Sequence, residues 1–256
     1  MEELKTNALL NRWRIERTLK SILFIQVIFN IGSLYYPKWL TTILPILTSL
    51  EIALLILFYL MIPKIEKDIL YNVNIEVIEQ YVSRIESRIF KGKEKNYYLL
   101  KLSSYYYIFG NFEQSIVLLK QVDLEKMPIG PYSVLDYYFQ AYISRLKMKS
   151  WNKLDNIKYY FLTYQSNKLS EHKKKQIYIN YLDLLEKLFI HQTEIDNLTF
   201  EENTPYEYIR CHYFLAVNAL NKQDRNSARE EFEKISQYSE RLFMVREAKE
   251  WLQNNN

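Results

Sequence analysis

The 256-residue chain has few of the residues on which several common folds depend. It contains only four glycines and six prolines, too few for the turns of a β-sandwich or for the glycine loops of a doubly wound sheet. Its single cysteine, Cys211, excludes an internal disulfide framework and a cysteine-rich zinc site. A mostly helical chain remains, and nothing in it indicates an oxidising compartment.

The signatures of the commonest enzymes are also missing. The sequence has no G-x-x-x-x-G-K, no G-x-G-x-x-G and no G-x-S-x-G, so it lacks the usual phosphate loop and nucleophile elbow. His172, His191 and His212 are scattered and form no H-E-x-x-H pair. Cys211 and His212 are adjacent and would point about 100° apart on a helix, which suits a nucleophile and its base poorly. We therefore expect no enzyme activity, no cofactor and no metal.

Charge of one sign is not concentrated strongly anywhere on the chain. The 34 basic and 30 acidic residues give a net charge of +4, far from the clustered excess that nucleic-acid binding needs. The densest basic run is 172–175 together with Lys168. Such a run can touch anionic lipid or nucleic acid, but without a wider basic stripe it is more typical of an exposed helix face. The composition thus predicts no nucleic-acid partner.

The apolar residues are concentrated near the start of the chain. Residues 43–62 hold one ionisable group, Glu51, and about twenty apolar residues span a bilayer as a helix. An earlier segment, about 19–36, carries Gln26 and Asn30 and is flanked by tryptophan and tyrosine, whose rings prefer the headgroup level. A cleaved signal peptide is the alternative for this segment, but no A-x-A-like site follows it. The sequence therefore predicts two transmembrane helices.

Basic residues indicate the orientation of these two segments. Five of them lie before or at the start of the first segment, Lys38 lies in the loop, and Lys64 and Lys67 follow the second segment. Because Lys and Arg concentrate on the cytoplasmic side, both termini are expected there. Residues 1–63 are thus predicted to form a hairpin in the cell membrane.

Glu51 lies near the middle of the second predicted helix, where an ionised carboxylate is expensive. Counting inward from the loop places Gln26 and Glu51 at the same depth. The functional interpretation is an ion or proton site. The simpler one is a hydrogen bond that holds the hairpin together or joins it to a partner helix, giving a homo- or hetero-oligomer. The absence of a chain of further ionisable groups favours the simpler interpretation.

After Pro63 the sequence alternates helical patterns with short breaks, and no strand pattern competes. Residues 64–93 are predicted to connect the hairpin to the rest through amphipathic helices, since apolar residues recur there at steps of three and four. Residues 94–256 are predicted to form the cytoplasmic domain. Its helices are expected at about 94–109, 112–123, 133–147, 151–165, 171–190, 205–221, 225–238 and 240–253.

Two stretches of this domain share a spacing of small and aromatic residues. In residues 209–242, Ala216 and Ala228 stand on successive predicted helices, and Phe232 follows on the second. Residues 96–129 repeat the spacing around the turn GNFEQS. This pattern resembles the tetratricopeptide repeat, a helix-turn-helix unit of about 34 residues.

The resemblance implies an all-α fold in which antiparallel helix pairs stack into an α-solenoid. A third, weaker match begins at Leu135. A non-repetitive helical bundle is the alternative. In similar proteins the first helix of each pair lines a concave groove that holds a protein or peptide. The residues implied for that groove here are Tyr97, Leu100, Tyr107, Phe139, Ile143, Arg210, Tyr213, Val217 and Leu220.

These groove positions are mainly aromatic and aliphatic, which suits an amphipathic or extended peptide. Repeats that clasp a terminal carboxylate use Lys and Asn where this chain has Leu100 and Ser104, so a chaperone-tail clamp is not expected. Packing between helices is the other interpretation of each position.

The hairpin and the repeat resemblance together predict a membrane-anchored, non-catalytic scaffold that binds a protein or peptide in the cytoplasm. One alternative is an intracellular peptide-sensing receptor coupled to a membrane complex. Another is an accessory subunit of a membrane transporter or protease, in which Glu51 has a role in the membrane.

Overall fold

The structure is a computed structural model of the whole chain. Its regular elements are all helical in the part that it describes, which confirms the all-α prediction. The chain forms two compact units, residues 1–84 and residues 85–256. The described residues are 12–32, 43, 45–57, 60–61, 73–88, 90–127, 133–150, 154–165 and 169–255.

The first unit contains α1 (Arg12–Gly32) and a helical stretch at 45–57. α2 (Ile75–Glu86) begins in this unit. α2 is amphipathic, as predicted: Ile78, Val82 and Ile85 are buried at steps of four and three residues.

No helix in the described part of the chain is both long enough and apolar enough to cross a membrane. The two predicted transmembrane helices therefore find no support in these residues. The first third of α1 is rich in charge, with Arg14, Glu16 and Arg17. The predicted segment 43–62 is described only in part, and residues 33–36 of the first predicted segment lie outside the described residues.

The second unit consists of packed helices, each of which overlaps a predicted one. A short 3-10 helix, Leu124–Lys126, follows the second of them. The α-helices are α3 (Gly92–Ile108), α4 (Phe112–Leu119), α5 (Val134–Lys147), α6 (Leu154–Thr163), α7 (Leu169–Phe189), α8 (Pro205–Asn221), α9 (Arg225–Ser236) and α10 (Phe243–Asn254).

Side-chain caps fix where several of these helices begin. The Asn111 side chain accepts from the backbone N–H of Gln114 at 3.2 Å at the start of α4. Asp224 does the same at the start of α9, with 3.0 Å to the N–H of Ser227. Each cap satisfies an N–H that the first helical turn leaves without an intrahelical partner. The short polar breaks are therefore encoded locally, which is why the sequence predicts them well.

The helices of the second unit pack against their neighbours in chain order. α3 contacts α4 and α5, α5 contacts α6 and α7, and α7 contacts α8. α8 in turn contacts α9 and α10. This arrangement of helix pairs is the one that a helical repeat array would produce, while the tetratricopeptide resemblance itself stays a prediction.

Small residues allow the close approaches between these helices. Ser115 on α4 lies between Ser103 on α3 and Ser144 on α5, with Oγ to Oγ distances of 3.0 and 2.9 Å. All three serines are fully buried, so their hydroxyls satisfy one another in the core. Ala216 and Ala228 are also fully buried where α8 contacts α9.

The last helix returns to the first helix pair of the unit. Phe243 on α10 packs on Tyr107 and Phe112, with ring centroids 5.4 and 5.3 Å apart. Arg246 Nη2 donates to the backbone oxygen of Phe109 at 3.3 Å, a contact between residues 137 positions apart. Contacts therefore run from α3 through α5, α7, α8 and α10 back to the α3–α4 turn, and the helices close into a ring.

Candidate partner-binding site

Aromatic side chains connect neighbouring helices in the closed arrangement of the second unit. Phe139 on α5 stacks on Tyr178 of α7, with centroids 4.1 Å apart and planes at 17°. Tyr181, one turn further along α7, lies 5.6 Å from Phe139 and 6.0 Å from Phe214 of α8. Three helices are thus held together by large rings with few rotatable bonds.

Arg210 on α8 lies next to this aromatic contact. Its Cζ is 5.6 Å from the centroid of the Tyr181 ring, a distance typical of a cation–π interaction. The side chain is half-buried, and its Nε is buried without a hydrogen-bond partner among the described residues. We call Tyr107, Phe139, Tyr181 and Arg210 the Arg210 site.

Burial keeps the phenols of the Arg210 site neutral. It raises the pKa of Tyr181 to about 12, and Arg210 opposes that rise. Burial, followed by the phenols of Tyr181 and Tyr206, raises the pKa of Tyr107 well above its ordinary value, while Arg210 lowers it. The site therefore offers neutral hydroxyl donors beside one guanidinium, which is the equipment for holding a carboxylate in a partly apolar environment.

A second cluster closes the ring where α5, α8 and α10 meet. Lys147 Nζ donates to the Tyr213 hydroxyl oxygen at 2.9 Å and to Glu247 Oε2 at 3.1 Å. The Tyr213 hydroxyl also donates to Glu247. Lys147 further lies 4.9 Å from the ring of Phe189 and 4.8 Å from that of Phe243. We call these five side chains the latch.

The latch places a cation in a largely apolar environment. The Lys147 side chain is only 11% exposed. Burial lowers the pKa of Lys147, although the carboxylate of Glu247 raises it. Losing Glu247 would leave a buried cation without its counter-ion, so removing this partner of Lys147 should destabilise the contact between α5 and α10.

The structure divides the nine predicted groove residues into two groups. Tyr97, Leu100, Ile143 and Tyr213 are at most 5% exposed and pack inside the unit. Leu100, for example, belongs to a core cluster with Ile116, Leu119, Met127 and Ala141. The half-buried ones are Tyr107, Phe139, Arg210, Val217 and Leu220.

The two groups meet around the Arg210 site and the latch. Tyr107 and Tyr213 both contact Phe243, and Arg210 acts on the pKa of Tyr107. Sequence reasoning missed Tyr181, Phe243 and Glu247 as members of this neighbourhood. Phe243 and Glu247 are four residues apart on α10 and so share one helix face. This spacing, read from the sequence, would indicate that the two side chains face the same neighbouring helices.

The polar residues predicted to lie in the membrane are placed only in part. Gln26 Oε1 and Glu51 Oε2 are buried and have no hydrogen-bond partner among the described residues. The Asn30 side chain lies outside those residues. In the same two helical stretches many large apolar side chains are exposed, among them Phe24 and Ile46. These two buried polar atoms therefore lie in stretches that expose most of their large apolar side chains.

A surface cavity of about 420 Å³ lies beside the start of α3. Phe90 and Tyr98, which stack with centroids 4.0 Å apart, form part of its lining. At its edge the Tyr106 hydroxyl donates to Glu86, and burial followed by that bond raises the pKa of Tyr106 to about 12. No chemistry beyond packing is evident at this cavity.

The described residues contain no group of three or more His, Cys, Asp or Glu side chains placed to hold a metal ion. Cys211 is fully buried, and burial raises the pKa of its thiol to about 11. His212 is buried, and its Nδ1 forms a hydrogen bond with Glu231. Neither residue is arranged as a nucleophile with its base.

Comparison with protein-family models, with curated proteins and with solved structures finds no match to this chain. Any inference of function therefore depends on the geometry of the Arg210 site and on the surface of the first unit.

Proposed function

We propose that the protein is a membrane-anchored, non-catalytic scaffold whose helical array binds a protein or peptide partner on the cytoplasmic side. Both termini would lie in the cytoplasm, with residues 1–63 forming the anchor and residues 94–256 the binding domain. The tether would raise the effective concentration of any partner held in the same membrane, so tight binding would not be needed.

The surface of the first unit supports the anchor. Soluble monomers rarely expose a continuous apolar patch of more than a few hundred Å². Here α1 and the stretch at 45–57 expose most of their large apolar side chains, while polar atoms of Gln26 and Glu51 are buried. Such an arrangement suits a hydrocarbon environment, in which polar groups turn toward a neighbouring helix. The exposed side chains are Ile22, Phe24, Ile25, Val27, Ile28, Ile43, Ile46, Leu47, Leu50, Ile52, Leu54, Ile56, Leu57, Leu60 and Met61.

The position of Arg210 is the observation that best supports a binding function. Arg210 is half-buried and its Nε has no hydrogen-bond partner in the described residues, so a carboxylate that reached the guanidinium would satisfy it. The rings of Phe139 and Tyr181 beside it offer large apolar area at a low entropy cost. We therefore expect a partner that presents an acidic group next to an aromatic or aliphatic side chain.

A displayed random peptide library tests this proposal. Full-length protein in lipid nanodiscs is expected to enrich peptides with a carboxylate beside an apolar residue. Arg210→Gln should weaken the enriched peptides about tenfold or more, because a charge-assisted hydrogen bond is lost. Arg225→Gln, at an exposed arginine on α9, is the matched control and should bind as the unchanged protein does. No enrichment, or equal binding by both variants, would contradict the proposal.

The latch favours a second candidate function, an intracellular peptide-sensing receptor. A ligand that enters the Arg210 site would act on Tyr107, which contacts Phe243 at the closure of the ring. Binding would then be coupled to the contact between α10 and the α3–α4 turn. A peptide that raises the thermal stability of the unchanged protein but not of Glu247→Gln would favour the receptor over the passive scaffold.

A further inference from the structure

The helices α6 and α7 follow one another in the chain and are joined by side-chain contacts. Lys158 near the start of α6 pairs with Glu186 near the end of α7, with 2.7 Å from Nζ to Oε2. At the opposite end of the pair, Lys175 Nζ donates to the backbone oxygen of Leu162 at 2.5 Å. Side-chain contacts thus connect the two helices near both ends.

The helices α6 and α7 also expose large apolar side chains. Leu169, Ile177 and Tyr159 are 71%, 65% and 64% exposed, which is the highest exposure of large apolar side chains among the described residues of the second unit. Tyr160 and Leu162 on α6 are also exposed. We call these five residues, with His172 and Lys173, the α6–α7 face.

The α7 part of this face is basic, while on α6 the exposed Asp155 lies one turn before Tyr159. His172 and Lys173 are both exposed and lie among the apolar side chains of α7. Between residues 169 and 180 the only acidic residue is Glu171, whose carboxylate is occupied by the Tyr164 hydroxyl at 3.2 Å. The helix face with Leu169, Lys173 and Ile177 therefore combines exposed aliphatic groups with positive charge and carries no exposed carboxylate.

We propose that the α6–α7 face docks on the surface of a bilayer that contains anionic lipid. Aliphatic and tyrosine side chains interspersed with Lys are the composition of surfaces that lie in the headgroup region. Lys173 favours an anionic over a neutral bilayer, since each Lys near an anionic surface strengthens binding about fivefold. Docking would fix the orientation of the binding domain relative to the membrane. The inference rests on the proposed anchor only in that the anchor brings the face to the bilayer.

A site-specific fluorophore tests the docking directly. Ile177→Cys offers an exposed thiol, whereas the natural Cys211 is fully buried and should not be labelled. The labelled full-length protein is reconstituted in vesicles of phosphatidylcholine, with or without about one third phosphatidylglycerol. We expect a blue shift, and quenching by brominated lipid, at position 177 in the anionic vesicles. Val117→Cys on α4, where the valine is also exposed, is the control and should give no shift.

Charge variants test the electrostatic part. Lys173→Glu reverses the charge within the face and should remove most of the shift at position 177, and raising the salt concentration should do the same. Lys120→Glu is the matched control, because Lys120 is exposed next to α4 and lies outside the face. Circular dichroism checks that both variants keep the helical fold, which surface substitutions should not disturb.

Each remaining outcome has a definite meaning. An equal shift in neutral vesicles, a shift at position 117 as well, or a Lys173→Glu variant that behaves like Lys120→Glu would overturn the docking proposal. A blue shift at position 177 that depends on the number of protein molecules per vesicle, and not on lipid charge, would mean that a second copy of the chain covers the α6–α7 face. That result would also overturn the docking proposal. Extraction by alkaline carbonate separates the two proposals: extracted protein that still shows the shift on anionic vesicles contradicts the anchor alone.

Discussion

Many of the 23 tyrosines are interior side chains. Tyr81, Tyr98 and Tyr142 are at most 1% exposed, and the Tyr142 hydroxyl donates to the buried end of Glu186. A tyrosine packs between helices as well as it binds a partner. The sequence therefore could not separate Tyr97 and Tyr213, which are buried, from Tyr107, which is half-buried.

Tyr181 should make the stability of the protein sensitive to alkaline pH. Its pKa is raised from 10.0 to about 12 in the folded state. The unfolded phenol therefore loses its proton first, and stability that is complete below pH 10 is lost as the pH rises to about 12. Thermal melts between pH 8 and 12 should show this loss, on the order of 1–3 kcal/mol, with a smaller loss in Tyr181→Phe. Tyr159→Phe, at an exposed site, should follow the unchanged protein; identical profiles for all three would contradict the prediction.

The buried serine contact should be intolerant of substitution. Ser115→Ala leaves the hydroxyls of Ser103 and Ser144 without their shared neighbour, and we expect a loss of about 1–3 kcal/mol in the free energy of unfolding. Ser115→Val adds volume as well and should cost more. Chemical denaturation measures both. Ser170→Ala, at an exposed position, should change stability by less than about 0.5 kcal/mol, and an equal effect at both sites would refute the proposed core contact.

The helices were the most predictable part of the fold, because their signals are local. α8 was predicted at the bounds at which it is found, since Thr204 caps it and Pro205 stands in its first turn. The return of α10 to the α3–α4 turn was not predictable. Arg246 and Phe109 are too far apart in sequence for any periodicity or capping signal to connect them.

Two glycines with positive φ allow the cost of backbone strain to be distinguished from the cost of a steric clash. Gly92 has φ +56 and open space where a Cβ would be, whereas at Gly110, φ +80, a Cβ would lie 2.8 Å from Cβ of Phe243. Both alanine variants incur the left-handed backbone penalty of about 1–2 kcal/mol. Only Gly110→Ala also displaces α10, so its loss in stability should be roughly 1–3 kcal/mol larger. Thermal or chemical unfolding measures the difference, and equal losses would mean that α10 does not close on this turn.

The two units of the chain differ in what they expose. The second unit buries its large apolar side chains in a core, with a few exceptions such as the α6–α7 face. In the first unit, α1 and the stretch at 45–57 expose most of theirs, whereas α2 buries Ile78 and Val82. The sequence shows that apolar residues are concentrated near the start of the chain. The ring closure and the Arg210 site depend on tertiary contacts that only the folded chain reveals.

A matched pair of arginine substitutions tests where the first unit resides. Leu54 and Val117 are both 47% exposed, in the first and the second unit respectively. In a bilayer, Leu54→Arg should cost about 2.5–3.5 kcal/mol of insertion free energy, while Val117→Arg faces water. We expect Leu54→Arg to lower the fraction of protein that stays in membranes after alkaline extraction, and Val117→Arg to leave it unchanged. Equal retention of both would place residue 54 outside the hydrocarbon core.

The position of α10 in the chain sets an order of events during synthesis. The ribosome adds on the order of ten residues per second, and segments fold as they emerge. The first unit is translated well before α10, so the proposed anchor would reach its membrane while the array is still open. The Phe243 and Arg246 contacts with the α3–α4 turn form only after α10 has emerged. Binding competence would therefore arise late, and a ribosome stalled before residue 243 would leave a tethered but unsealed domain that quality-control proteases could recognise.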